Sequence, residues 1–170
     1  MRNKSMSFVP AALLGLLLGA SCLNVAVAAP SLAERRAVAA YQAGAYATQL
    51  KEIQAAAGFE VPVEVQWDSL ALPGQEANYA DEAFWTKIYF NPLSKALGTI
   101  ATDEMGKTAV KEKLKNVVVR YDAATAPASN YDNGVTFTGG VLTLNFQPYS
   151  NADDVDARAQ AIQKALEAGL

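Results

Sequence analysis

The sequence predicts an α+β domain: an antiparallel sheet of three to four strands, arranged as a meander and packed against helices, with a long N-terminal helix and a C-terminal helix. Three observations predict it. Apolar residues recur at helical spacing behind recognisable caps near both ends of the domain. Two short segments carry β-branched residues in strand-like runs, the first of them with Val or Trp at every second position. A Gly139-Gly140 pair joins two further β-prone runs as a hairpin turn.

The elements follow in order. Ser31-Leu32-Ala33-Glu34 is a capping box, so a helix runs from there to Ala57 and stops at Gly58. Its expected apolar stripe is Leu32, Ala39, Ala43, Tyr46, Leu50, Ile53 and Ala57, interrupted by Arg36, so that the first turn overhangs the core. Val61, Val63, Val65 and Trp67 alternate with Pro62, Glu64 and Gln66, a half-buried strand that Pro62 places at an edge. Residues 68–80 read as a loop punctuated by Pro73-Gly74.

Residues 81–90 read as a helix stopped by Asn91-Pro92, and Pro92 suits the first turn of the next helix, which carries Leu93, Leu97 and Ile100. Asp103 is the expected N-cap of a helix over 104–116 that buries Ala109, Val110 and Leu114. A strand over 117–121, a small-polar loop over 123–133, and hairpin strands over 135–138 and 141–146 come next. A helix over 153–168 closes the chain, burying Val155, Ala159, Ile162 and Leu166. Its first turn holds Asp153, Asp154 and Asp156, charges that suit the positive end of the helix dipole.

Ahead of this domain, residues 1–29 have the tripartite pattern of a cleaved signal peptide. Arg2 and Lys4 form a positive n-region, an apolar stretch runs from Phe8 to Ala20, and Ala26-Val27-Ala28 is a small-x-small cleavage site. Ser21, Cys22 and Asn24 interrupt the apolar stretch, which is short for about 30 Å of hydrocarbon. The expectation is therefore a bacterial periplasmic or secreted protein, residues 30–170 forming a single domain with no membrane insertion after cleavage. Leu18-Gly19-Ala20-Ser21-Cys22 resembles a lipobox, but Gly19 stands where that motif wants Leu, Val or Ile, so a lipid anchor at Cys22 is disfavoured.

Composition removes whole classes of chemistry. Loss of Arg2 and Lys4 leaves 12 basic against 17 acidic residues, a mature charge of −5, which disfavours nucleic acid as a partner. The run Lys107, Lys111, Lys113 and Lys115 is interleaved with Glu104 and Glu112 and reads as a solvated helix face. Cys22 is the only cysteine, so the mature domain has no disulfide and depends on packing. There is no histidine, which excludes His-based acid–base catalysis, His triads and His metal sites. No cofactor and no metal site is expected.

Four motifs remain. Residues 101–108, AlaThrAspGluMetGlyLysThr, fit a relaxed Walker A pattern, and residues 117–122 resemble its partner strand. A phosphate loop needs a glycine-rich turn after a strand, whereas Asp103 and Glu104 would aim negative charge at the phosphates. Residues 151–156 hint at calcium but lack the mid-loop Gly and terminal Glu of an EF-hand. Asp68, Asp81, Glu82 and Asp122 lie in loops or at strand ends, where a carboxylate pair acting on glycans would sit. Finally, Phe84, Trp85, Ile88, Tyr89 and Phe90 crowd one short helix, with Tyr79 before it. A helix wrapped on most sides buries both stripes; otherwise Tyr79, Trp85 and Tyr89 form an outward binding patch for a partner.

The sequence therefore leans away from an enzyme. It points to a small exported, non-catalytic binding or interaction protein (an inhibitor, immunity-type or envelope accessory protein) whose partner is a protein or an envelope component. The alternative is an Asp/Glu-dependent cell-envelope hydrolase acting on glycans.

Overall fold

The computed structural model describes residues 30–170; the expected signal segment, including Cys22, lies outside the described residues. The capping box forms as expected: Ser31 accepts from Glu34 N–H, and the Glu34 carboxylate accepts from Ser31 N–H at 2.5 Å. Helix α1 (Leu32–Tyr41) then passes through a π-helical turn (Gln42–Tyr46) into α2 (Ala47–Ala57), with right-handed helical backbone at both junctions. Gly58 ends it at φ 78°.

The π-turn revises the expected stripe. Glu34 and Tyr41 are buried, whereas Leu32 is 54% exposed and Ala39 and Ala43 face solvent. Downstream, Tyr46, Ile53 and Ala57 turn inward as expected, whereas Leu50 is half-buried outside the core. A π-turn widens the repeat to five residues, so Tyr41 and Tyr46 share one face where a regular α-helix would separate them.

Strand β1 (Val63–Val65) leads into the short helix α3 (Trp67–Leu70), and a 3-10 turn (Glu76–Asn78) lies within the expected loop. A second π-turn (Thr86–Phe90) runs directly into α4 (Asn91–Ile100). Asn91-Pro92 is thus not a stop. Asn91 N–H donates to Thr86 O, five residues back, and Pro92 falls in the first turn of α4, where a missing N–H costs little.

Helix α5 (Glu104–Lys113), β2 (Asn116–Arg120), a 3-10 turn (Tyr131–Gly134), β3 (Val135–Thr138), β4 (Val141–Asn145) and α6 (Val155–Glu167) complete the chain. Gly139 and Gly140, at φ 61° and 86°, make the tight turn between β3 and β4.

The class is α+β, but the antiparallel meander is corrected. The sheet is mixed, in the order β1-β2-β4-β3, with β1–β2 and β2–β4 parallel and only β3–β4 antiparallel. The long connection over 121–134 carries the chain past one strand position, and the hairpin return then fills the gap. This places β4, whose Leu142 and Leu144 are fully buried, at the centre, and leaves the Thr-containing β3 at the rim. Asn145, at the end of β4, fastens the connection by accepting from Asp122 N–H at 2.8 Å and donating to Thr125 Oγ1 at 3.0 Å. Helix α4 packs between α2 and α6. The inward rows Val117, Val119, Leu142 and Leu144 are buried, whereas Glu64, Val118, Thr143 and Thr136 on the other face keep contact with solvent.

Candidate functional site

The expected outward patch is not at the surface. Tyr79 is 1% exposed, and Trp85 and Tyr89 are fully buried. Each polar tip ends on a backbone carbonyl: Trp85 Nε1 donates to Leu70 O at 3.2 Å, Tyr79 donates to Leu72 O at 2.9 Å, and Tyr89 donates to Phe146 O. Burial pushes the Tyr79 hydroxyl up to about 12, aided by the charges of Glu34 and Glu76, and pushes Tyr89 well above 10. The physical reason is that the aromatic segment is enclosed on several sides. Tyr41, Trp67 and Tyr79 surround Trp85 at ring separations of 4.8, 5.4 and 4.6 Å, and Phe146 stacks on Tyr89 at 6.0 Å. These rings are core, not binding surface.

The other motifs resolve into local structure. Asp103 accepts from Gly106 N–H at 2.8 Å, and Lys107 pairs with Glu104 at 2.7 Å, so the Walker-like stretch is a capped helix start whose lysine is engaged by a carboxylate. Asp122 accepts from Ala124 N–H and the Thr125 hydroxyl, bonds that lower its pKa and close a turn. In the acidic segment, Asp153 lies 3.7 Å from Lys87, Asp154 accepts from the Tyr131 hydroxyl at 2.8 Å, and Asp156 pairs with Lys95 at 2.5 Å. These carboxylates point to three different neighbours, and among the described residues no acidic cluster gathers to hold a metal ion. No described helix is long and apolar enough to cross a membrane.

What the structure does assemble is a groove of about 560 Å³ between α1 and the open edge of β1. Arg35, Val38, Ala39 and Gln42 form the helix wall; Glu64 and Val65 of β1, the following Gln66, and Trp67 and Asp68 of α3 form the facing wall. Its floor owes its shape to Trp67, which is half-buried and meets Tyr41, Tyr46 and Trp85 edge-on at 5.9, 5.1 and 5.4 Å. Glu34 steadies the start of α1 by accepting from Gly74 N–H at 3.2 Å across the molecule.

The hydrogen-bond pattern of β1 defines what faces the groove. Val117 N–H donates to Pro62 O at 2.9 Å, and Gln66 N–H donates to Val119 O at 2.9 Å. In a parallel ladder the N–H and C=O of one residue point to the same side, so the even-numbered residues of this segment serve β2. Val63 and Val65 therefore turn their backbone groups to the open edge. There the Tyr46 hydroxyl reaches Val63 O at 3.5 Å, and no described residue bonds the N–H or C=O of Val65. Pro62, whose ring removes a donor on the β2 side, does not block this edge.

Of the four carboxylates proposed from the sequence, Asp68 alone lines the groove, joined there by Glu64. Asp81 instead accepts from Ala83 N–H at 2.8 Å, closing a turn. Comparison with protein-family models, curated proteins and solved structures finds no match to this chain.

Sequence reasoning found β1 and its edge position but missed the groove. Its helix wall uses Val38, Ala39 and Gln42, and the phase of that face depends on the π-turn, which leaves no periodic trace.

Proposed function

We propose that this chain is an exported, non-catalytic binding protein that captures an extended polypeptide segment of a protein partner along the open edge of β1. The observation that carries this reading is the outward backbone of Val65, at the open edge of β1, opening into a groove walled by α1. Strand addition gains its affinity from such main-chain bonds and its selectivity from the side-chain pockets beside them. The half-buried Trp67 supplies an apolar floor for one side chain of the incoming strand.

Peptide backbone methylation tests it without altering the protein. Extended peptides that bind the chain should lose binding when N-methylated at alternate amides in the frame facing β1. They should keep it when methylated in the opposite frame. Equal loss in both frames, or binding of oligosaccharides in preference to every peptide, would overturn strand addition. Export is a separate component of the proposal, supported by the residue pattern over 1–29. Mass spectrometry of the protein from a bacterial envelope should find the chain beginning at Ala29 or Pro30; a lipidated Cys22 at the N-terminus would contradict that.

A second reading has one observation in its favour. Glu64 and Asp68 share the groove, as an acid pair acting on a glycan would. Both are exposed, however, and no distance brings them together as a pair flanking a substrate. Turnover of cell-wall glycan that disappears in Glu64→Gln would establish this alternative; the expected result is no turnover.

A further inference from the structure

We propose that the segment taken up at the β1 edge carries basic side chains alternating with apolar ones; this rests on the strand-addition reading and names the chemistry of its partner. From residue 60 to residue 68 the chain reads GluValProValGluValGlnTrpAsp, with three carboxylates and no Lys or Arg. Glu60, Glu64 and Asp68 are exposed, whereas Val63, Val65 and Trp67 are half-buried. The strand itself offers an incoming partner one exposed carboxylate, Glu64, between the half-buried Val63 and Val65, with Glu60 just before the strand and Asp68 in the first turn of α3.

Side chains of a strand paired with β1 fall in register with Val63, Glu64 and Val65. A residue beside Glu64 sits next to a carboxylate, and Asp68, from the start of α3, lines the same groove. Opposite charges across such a pair stabilise it, and like charges destabilise it. Residues one step away on the incoming strand turn to the other face, the side of Val63 and Val65. The preferred occupant thus alternates Lys or Arg with Val, Ile or Leu. Arg35 stands on the opposite wall, contributed by α1.

The same charges argue against a second copy of this chain as occupant. Edge-to-edge pairing about a two-fold axis would bring the Glu60, Glu64 and Asp68 segment of one copy against its own equivalent. A short, acidic edge is a common way for a sheet to avoid self-association while remaining open to a partner of opposite charge.

The test is fluorescence anisotropy of the mature chain with three labelled peptides. They share the same apolar positions and carry Lys, Ser or Glu at the alternate ones. The Lys peptide should bind tightest and the Glu peptide weakest, with steps of about 1.4-fold to fivefold per charged position. The spread should shrink at high salt, because these charges are solvent-exposed. In a Glu64→Lys/Asp68→Lys variant, both exposed positions with no packing to lose, the order should invert. Equal binding of all three peptides would overturn the basic preference while leaving strand addition standing. Binding of none would overturn strand addition itself. An unchanged order in the charge-reversed variant would show that the preference arises elsewhere on the molecule.

Discussion

The Tyr41 hydroxyl lies 2.7 Å from Thr86 Oγ1, and this buried contact ties the last residue of α1 to the first residue of the second π-turn. The two π-turns face one another here, with Phe90 lying 6.3 Å from Tyr41 and 5.1 Å from Tyr46. The helix wall of the groove is therefore set from inside the core. Thr86→Val keeps the shape of the side chain but leaves a buried hydroxyl without a partner, at a cost of about 1–3 kcal/mol. Chemical denaturation should show that loss. The Tyr41→Phe/Thr86→Val double variant should recover most of it, because neither polar group then remains unpaired.

Alkaline pH should destabilise the domain through its buried tyrosines. Burial pushes Tyr41 and Tyr79 each up to about 12 and Tyr89 well above 10. Above pH 10 the unfolded chain releases these protons while the folded chain holds them, so unfolding is favoured. Their contribution is intact below pH 10 and is lost as the pH rises from 10 through about 12. Denaturation midpoints at pH 9 and pH 11 should differ accordingly. Absorbance titration should also show several of the seven tyrosines ionising late, in step with unfolding.

Gly106→Ala should destabilise, against helix propensity. Alanine in a helix is ordinarily worth about 1 kcal/mol over glycine. Here a Cβ would stand 1.8 Å from Ile100 O and 2.9 Å from Ile100 C, both backbone atoms that cannot swing aside. Asp103→Ala removes only the cap on Gly106 N–H, about 0.5–2 kcal/mol. Thermal melts should therefore rank Gly106→Ala below Asp103→Ala; the reverse order would show that the α4–α5 corner relaxes freely.

Arg158→Lys should loosen the turn before α6. Arg158 is 1% exposed, lies 4.4 Å over the Tyr131 ring, and donates to Asn151 O at 2.9 Å and Ser150 O at 2.5 Å. The turn it holds contains Tyr149 at φ 54° and Asn151 at φ 47°, a backbone region that side-chain-bearing residues seldom occupy. Lysine lacks the planar fork needed to bridge two carbonyls while stacked on a ring. The expected cost is about 2 kcal/mol or more, from the two carbonyls and the lost stacking. Hydrogen exchange should locate the change in residues 149–158, leaving the groove amides unaffected.

Local signals were legible where a single stretch of chain decides the outcome. The Ser31–Glu34 capping box, Gly58, the Asp103 cap, the Gly139-Gly140 turn and the burial of Ala159, Ile162 and Leu166 all followed from neighbouring residues. β1 is an edge strand as expected, although not through Pro62, which precedes the strand and turns to the β2 side. Arg158 escaped notice because a charged residue on an amphipathic helix ordinarily reads as solvent-facing.

By itself, then, the sequence determined the α+β class, most helix caps, the hairpin, and the absence of histidine and of any cysteine in the domain. The order and direction of the strands were decided only in three dimensions, because β2 pairs with β1 and β4 across long stretches of sequence. The fate of Tyr79, Trp85 and Tyr89 was decided there too. A crowded aromatic face is buried or exposed according to what packs on it, and here Trp67, Tyr41 and Phe146 arrive from distant elements to enclose it. The groove has the same origin. It exists because a five-residue turn sets the face of α1 while the parallel ladder with β2 directs the backbone of Val63 and Val65 outward, and local periodicity encodes neither.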